Sequence, residues 1–94
     1  MSDAPYTVQH NREKSRFEVS LDGHLAKAVY ELEPGVMRMT HTVVDPALEG
    51  KGIAGALVKA ALAHARDNGL KIDPQCPYVR AYMERHPETH DLRI

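Results

Sequence analysis

Residues 37–70 read MRMTHTVVDPALEGKGIAGALVKAALAHARDNGL, and this stretch decides the fold. A strand pattern over Val36 to Val44 stops at Asp45-Pro46, because proline gives no N–H to a ladder and restricts the residue before it. Gly50 and Gly52 then sit where a helix should begin. Ile53, Ala54, Leu57, Val58, Ala61, Leu62 and Ala65 form a wide apolar stripe at helical spacing, broad enough to lie on a sheet. Lys51, Lys59, Arg66 and Asp67 point away from it, alanine supports the helix by propensity, and Asn68-Gly69 supplies its stop. In the strand, Met37, Met39, His41 and Val43 are expected on one face, with Val36, Arg38, Thr40, Thr42 and Val44 on the other. Neither face is purely apolar, so one is expected against a helix and the other against a ligand or an edge.

Working back towards the N-terminus, RFEVSL (16–21) alternates with Phe17, Val19 and Leu21 on one face. Asp22-Gly23 follows, a pair that signals a two-residue hairpin because both turn positions need positive φ. HLAKAVYELE (24–33) is the returning strand, with Ala26, Ala28, Tyr30 and Leu32 on one side, and Pro34-Gly35 reads as a second turn. The polar residues 1–15 offer Tyr6 and Val8 as the start of a short edge strand, with His10 in a loop.

Working forwards, residues 70–75 read as a short strand, parallel to the one before the helix if the connection is a right-handed crossover. Cys76-Pro77 opens a second helix, PYVRAYMERH (77–86), with Val79, Tyr82 and Met83 on one face. The order is β-β-β-α-β-α, an α+β (mixed α/β) chain in which an antiparallel meander joins one βαβ unit. At 94 residues, one domain spanning 1–94 is expected, with little room for a separate substrate domain.

The formal net charge of -1 argues against nucleic acid or an anionic membrane as the main partner, while leaving room for a local basic patch. No apolar stretch is long enough to span a bilayer and no signal-peptide core is evident, so a soluble cytoplasmic protein is the expectation. The single cysteine, Cys76, has no intramolecular disulfide partner.

The turn EGKGIA (49–54) carries the chemistry. Amides at a helix start lack intrahelical acceptors, and glycines let a phosphate approach them. Lys51 would add a charge-assisted contact. The spacing is not that of a dinucleotide fingerprint, and no Gly-Lys-Ser/Thr ends it as in a P-loop. The alternative is a loop whose glycines only permit tight helix–sheet packing.

With Val44-Asp45-Pro46, Glu49-Gly50-Lys51-Gly52-Ile53-Ala54 and the helix in place, the chain resembles the GNAT acetyltransferase superfamily, whose pyrophosphate loop runs Gln/Arg-x-x-Gly-x-Gly/Ala. Gly52 and Ala54 fit that pattern, and Glu49 stands where the family has Gln or Arg. His41-Thr42, Cys76-Pro77-Tyr78-Val79, Tyr82 and His86-Pro87-Glu88 extend the resemblance to its small, minimal YjdJ-like branch over nearly the whole chain. The resemblance implies a mixed sheet with splayed parallel strands and helical cover. It implies acetyl-CoA in the wedge between residues 36–44 and 70–75. Backbone around Thr42, Val43 and Val44 would take the pantetheine arm, and the amides of Gly50, Lys51, Gly52, Ile53 and Ala54 the pyrophosphate.

The branch resemblance makes Cys76 the candidate acyl-accepting thiol, and its place before a helix agrees, since a helix N-terminus favours a thiolate; the alternative is a buried, inert cysteine. His41 is the candidate base, for an amine or for the thiol; the alternative is a histidine packed beside Met37, Met39 and Val43. Tyr78 and Tyr82 are candidates to touch pantetheine or acceptor, or else to pack in the core. Arg80 and Arg85 read as solvated, with a contact to the nucleotide phosphates as the alternative. His64 reads as a boundary residue, and His86 and His90 as surface or helix-end groups. No histidine pair shows metal-ligand spacing, so no metal is expected. The expected reaction is acetyl transfer from acetyl-CoA (coenzyme A as co-substrate) to an amine or thiol acceptor, for which the sequence offers no clear proton donor to the leaving thiolate. The rivals are a CoA- or acyl-CoA-binding module without turnover and an interaction protein that binds no CoA.

Overall fold

The structure, a computed structural model, describes residues 6–94. Five strands form one sheet in sequence order: β1 (Gln9–Asn11), β2 (Arg16–Leu21), β3 (His24–Glu33), β4 (Val36–Val44) and β5 (Lys71–Pro74). The first four are antiparallel and β5 runs parallel to β4, reached through helix α1 (Ile53–Asp67). Helix α2 (Pro77–Arg85) follows, then a 3₁₀ segment, Pro87–Leu92. The mixed sheet and helical cover agree with the sequence reading.

The hairpin between β2 and β3 turns on Asp22 (φ 53°) and Gly23 (φ 78°), both positive as a two-residue loop requires. Phe17, Val19, Ala26, Ala28, Tyr30, Met37, Met39 and Ile72 line one sheet face and are buried in a single core. The α1 residues Ile53, Leu57, Val58, Ala61, Leu62 and Ala65 and the α2 residues Val79 and Met83 complete it, so both helices cover the same face. Leu32 departs from expectation. It is 59% exposed, although its cross-strand partner Met37 is fully buried.

The edge strand also falls elsewhere than expected, at Gln9–Asn11 and not from Tyr6 and Val8. His10 is therefore in a strand and not a loop. Its ring stacks on Phe17 at 4.1 Å and its Nε2 meets the Tyr30 hydroxyl at 2.5 Å. An imidazole is flat enough to cap an aromatic core edge, a property that apolar periodicity does not register. Burial, together with the nearby His64 and Arg12, holds its pKa below the ordinary histidine value.

The largest departure is in β4. Val29 faces His41 and Tyr30 faces Met39, so Thr40 is an extra residue on β4, a β-bulge. One extra residue sends every later side chain to the opposite face. His41 and Val43 are consequently exposed, while Thr42 and Val44 turn to the side that Met37 and Met39 occupy. The expected grouping of Met37, Met39, His41 and Val43 on one face fails for this reason.

β5 is also shorter than the expected 70–75. It pairs with β4 only from Val36↔Lys71 to Met39↔Pro74. Gln75 and Cys76 then both donate their N–H to the Met39 carbonyl, at 3.1 and 2.9 Å, and the chain leaves the sheet. The C-terminal segment returns to the other edge of β5, where Ile94 donates its N–H to Ile72 O. Among the described residues no helix is long and apolar enough to cross a membrane.

Candidate active site

Where β5 leaves, the far half of β4 loses a partner on one edge. Asp45 donates its N–H to Leu25 O, towards β3. Backbone groups alternate direction along a strand, so Val44 and Thr42 point theirs the other way, into the gap. The sheet therefore carries a wedge, open beyond Met39 and Pro74.

At one end of the wedge lies the glycine turn. Asp45 caps a short 3₁₀ turn (Pro46–Leu48), its Oδ1 accepting from Ala47 N–H at 2.9 Å, with Pro46 preset for the first position. Asp45 Oδ2 also meets His24 Nδ1 at 3.0 Å. The chain then passes through Gly50 (φ 81°) and Gly52 (φ 74°), a left-handed conformation that side chains resist. Space is not the reason for glycine here, since a Cβ on either would meet nothing within 4 Å. The first backbone bond of α1 is Ala56 N–H to Gly52 O. Among the described residues, the amides from Gly50 to Gly55 have no backbone acceptor. A row of free N–H groups at a helix start, approached without steric obstruction, fits a diphosphate.

Val44, Leu48, Glu49, Gly50, Gly52, Ile53, Ala54, Gly55 and Tyr78 line a cleft of about 260 Å³. Tyr78 forms its far wall, with its hydroxyl over Gly55 of α1. The apolar side chains suit an extended uncharged segment of a ligand, and the amides suit an anionic end.

Cys76 occupies the N-cap position of α2 and is only 6% exposed. Its thiol lies 3.4 Å from Thr42 Oγ1, to which it donates. Its side chain makes no hydrogen bond of capping geometry, yet the Tyr78 and Val79 N–H dipoles still face the sulfur. Burial pushes the thiol pKa up. The Thr42 hydroxyl and the N–H groups of Val79, Tyr78 and Thr42 together pull it down further, leaving it below the ordinary thiol value.

The structure thus gathers Val44, Gly50, Gly52, Ile53, Ala54 and Tyr78 in one cleft, and joins Cys76 to Thr42. It does not bring His41 to Cys76: the ring is exposed on the uncovered face, opposite the neighbouring Thr42. There Nδ1 contacts Thr40 Oγ1 at 3.1 Å, and that hydroxyl donates to Val29 O at 3.4 Å. With the threonine proton so used, Nδ1 is the donor and Nε2 keeps a free lone pair towards solvent. Val43 shares that face, 47% exposed. Lys51 is exposed and does not line the cleft.

Tyr82 is elsewhere, in a smaller depression with Lys59, Leu62, Arg66 and Leu92, its ring stacked on His86 at 4.0 Å. The second helix turns its Tyr82 face to α1 and the 3₁₀ segment, away from the glycine turn. His86 and His90 donate to the Tyr82 and Met83 carbonyls. Arg80 donates to the carbonyls of Pro74 and Gln75, tying down the end of β5. No group of three metal-ligating side chains occurs among the described residues. Sequence reading missed Leu48 and Gly55 as lining residues. The Asp45-Pro46 pair signals a capped turn as well as a strand end, and would have placed Leu48 inward.

A strand-edge gap, a free-amide turn and a thiol at the gap together suit a ligand with an extended arm and an anionic end. The comparisons agree. Residues 16–92 match the family model described as GCN5-related N-acetyl-transferase. Protein NATD1 of Mus musculus is 35% identical over 86 residues, covering 88% of this chain and 78% of that one. Protein NATD1 of Danio rerio is 30% identical over 88 residues, covering 90% and 80%. The solution structure of a GCN5-like protein from Staphylococcus aureus superposes with a TM-score of 0.75 at 27% identity, covering 100% of this chain and 91% of that one. The chain belongs to the GCN5-related N-acetyltransferase family and has its acetyltransferase-type fold.

Proposed function

We propose that this protein is an acetyl-CoA-dependent acetyltransferase of the minimal YjdJ-like branch, one domain over residues 1–94, that passes an acetyl group through Cys76 to an amine or thiol acceptor. The observation that carries the reading is the Cys76 sulfur, hydrogen-bonded to Thr42 Oγ1, at the edge of an unpaired strand gap. In this reading the amides of Gly50 to Ala54 take the pyrophosphate, with Lys51 adding charge from outside. The free edge at Val44 and the Thr42 carbonyl pair with the pantetheine arm, and Tyr78 walls it in.

The chemistry then divides into two steps. The Cys76 thiolate attacks the thioester carbonyl; its S–C bond forms, the CoA S–C bond breaks, and CoA leaves as thiolate. An acceptor amine or thiol next attacks acetyl-Cys76, freeing the sulfur. The proton lost by the acceptor, amine or thiol, goes to solvent, where His41 Nε2 on the uncovered sheet face takes it up. His41 is thus a base for the acceptor and not for Cys76. Tyr82 has no part in the site, and a cytoplasmic setting suits a protein fed by acetyl-CoA.

One observation favours a CoA-binding module instead: Cys76 is only 6% exposed. Incubation with acetyl-CoA separates the two. Release of free CoA with a protein mass gain of one acetyl group, lost in Cys76→Ala, is expected. Tight calorimetric binding with neither release nor adduct would make it a module, and a flat titration would remove CoA altogether.

A further inference from the structure

We propose that Thr42 is the positioning residue for Cys76, its side-chain hydroxyl holding the sulfur at the gap as the reactive anion. The proposal rests on the reading of Cys76 as the acyl carrier, but it concerns a different group, the Thr42 side chain, where that reading uses only the Thr42 backbone.

The sulfur has an unusual set of neighbours. Cys76 belongs to the buried core cluster, where an unpaired anion would be costly. No charged side chain among the described residues contributes to its titration, and His41, next to Thr42 on β4, faces the other way. The stabilising groups are all neutral: one hydroxyl and three backbone N–H groups. The amides come with the fold of β4 and α2. The hydroxyl is there because of one residue type at one position, 3.4 Å away.

That position depends on the bulge at Thr40. Without the extra residue, alternation from Met39 would turn Thr42 to the uncovered face and His41 towards the sulfur. The bulge exchanges them, so the sulfur meets a neutral hydroxyl and not an imidazole. A hydroxyl also suits both states of the thiol. It accepts from S–H, and after that proton leaves to solvent it rotates and donates to the anion. A thiolate so held needs no base at its side, which accounts for a nucleophile with its histidine on the opposite face.

The test is the pH dependence of iodoacetamide alkylation of the whole protein, without coenzyme. Thr42→Val is expected to move the alkylation midpoint up by about one pH unit, slowing reaction at neutral pH roughly tenfold. Thr42→Ser is expected to restore the wild-type profile. Circular dichroism reports whether the valine variant folds; Thr42→Ala replaces it if it does not. An unmoved midpoint in a folded hydroxyl-less variant, or a serine variant that behaves like valine, overturns the proposal. The outcome is independent of acetyl-CoA. A shifted midpoint with no acetyl adduct in the wild type would sink the carrier reading alone, and an adduct with an unmoved midpoint would sink this inference alone.

Discussion

The first half of β4, Val36 to Met39, is hydrogen-bonded along both edges, whereas the second half, Thr40 to Val44, is bonded to β3 alone. Met37 and Met39 are fully buried between sheet and helices; His41 and Val43 are in solvent. The same strand is thus paired on both edges for four residues and leaves one edge open over five. What separates the halves is a single inserted residue and the departure of β5 at Pro74. A paired strand satisfies its own backbone; a half-paired one offers donors and acceptors to something else. The difference implies that substitutions in the first half act on stability, and in the second on the ligand.

The widest contrast should appear in unfolding. Met39→Ala is expected to cost about 2–5 kcal/mol, through lost burial and a residual cavity. Val43→Ala should stay within about 0.5 kcal/mol. Urea titration of both variants measures this, and equal losses would erase the distinction between the halves.

The next effect lies in the turn that faces the open half. Gly52→Ala places a side chain at φ 74° and should cost about 1–2 kcal/mol. Gly55→Ala, already helical and with its Cβ 3.6 Å from the Tyr78 hydroxyl, should be neutral or gain up to about 1 kcal/mol from propensity. The same titration decides, and a Gly52→Ala variant as stable as wild type would mean that the turn does not need its left-handed backbone.

A smaller effect follows from linkage at the gap. The Cys76 thiol titrates lower in the folded chain than its ordinary value near 9.0. An acid with a depressed folded pKa adds stability that is complete above its unfolded value and fades as pH falls through the folded one. The stability difference between wild type and Cys76→Ala should therefore grow in favour of wild type as pH rises from neutral towards 9. A difference that does not change with pH would remove the thiolate from the open half.

The smallest effect belongs to the opposite edge of the sheet, which is shut by side chains where the β4 gap is not. His10 titrates below 6.5 when folded, chiefly through burial. Its contribution is complete above 6.5 and is lost as pH falls from there through the folded value, because the unfolded chain takes the proton first. His10→Gln should flatten part of the acid-side loss of stability; unchanged pH dependence would mean that β1 is held by its neighbours and not by this ring.

The sequence by itself determined the element order, the Asp22-Gly23 hairpin, the α1 stripe and the glycine turn, because each is a local pattern: alternation, helical spacing, or a backbone angle that few residues tolerate. It also singled out Cys76, Thr42 and His41 as candidate site residues. Only the tertiary structure decided which of them meet. The Thr40 bulge arises from how β3 and β4 register across the sheet, and nothing in residues 36–44 marks the extra residue. It sends Thr42 to the sulfur and His41 away, and no periodicity read along one strand can foresee a phase change imposed by its neighbour.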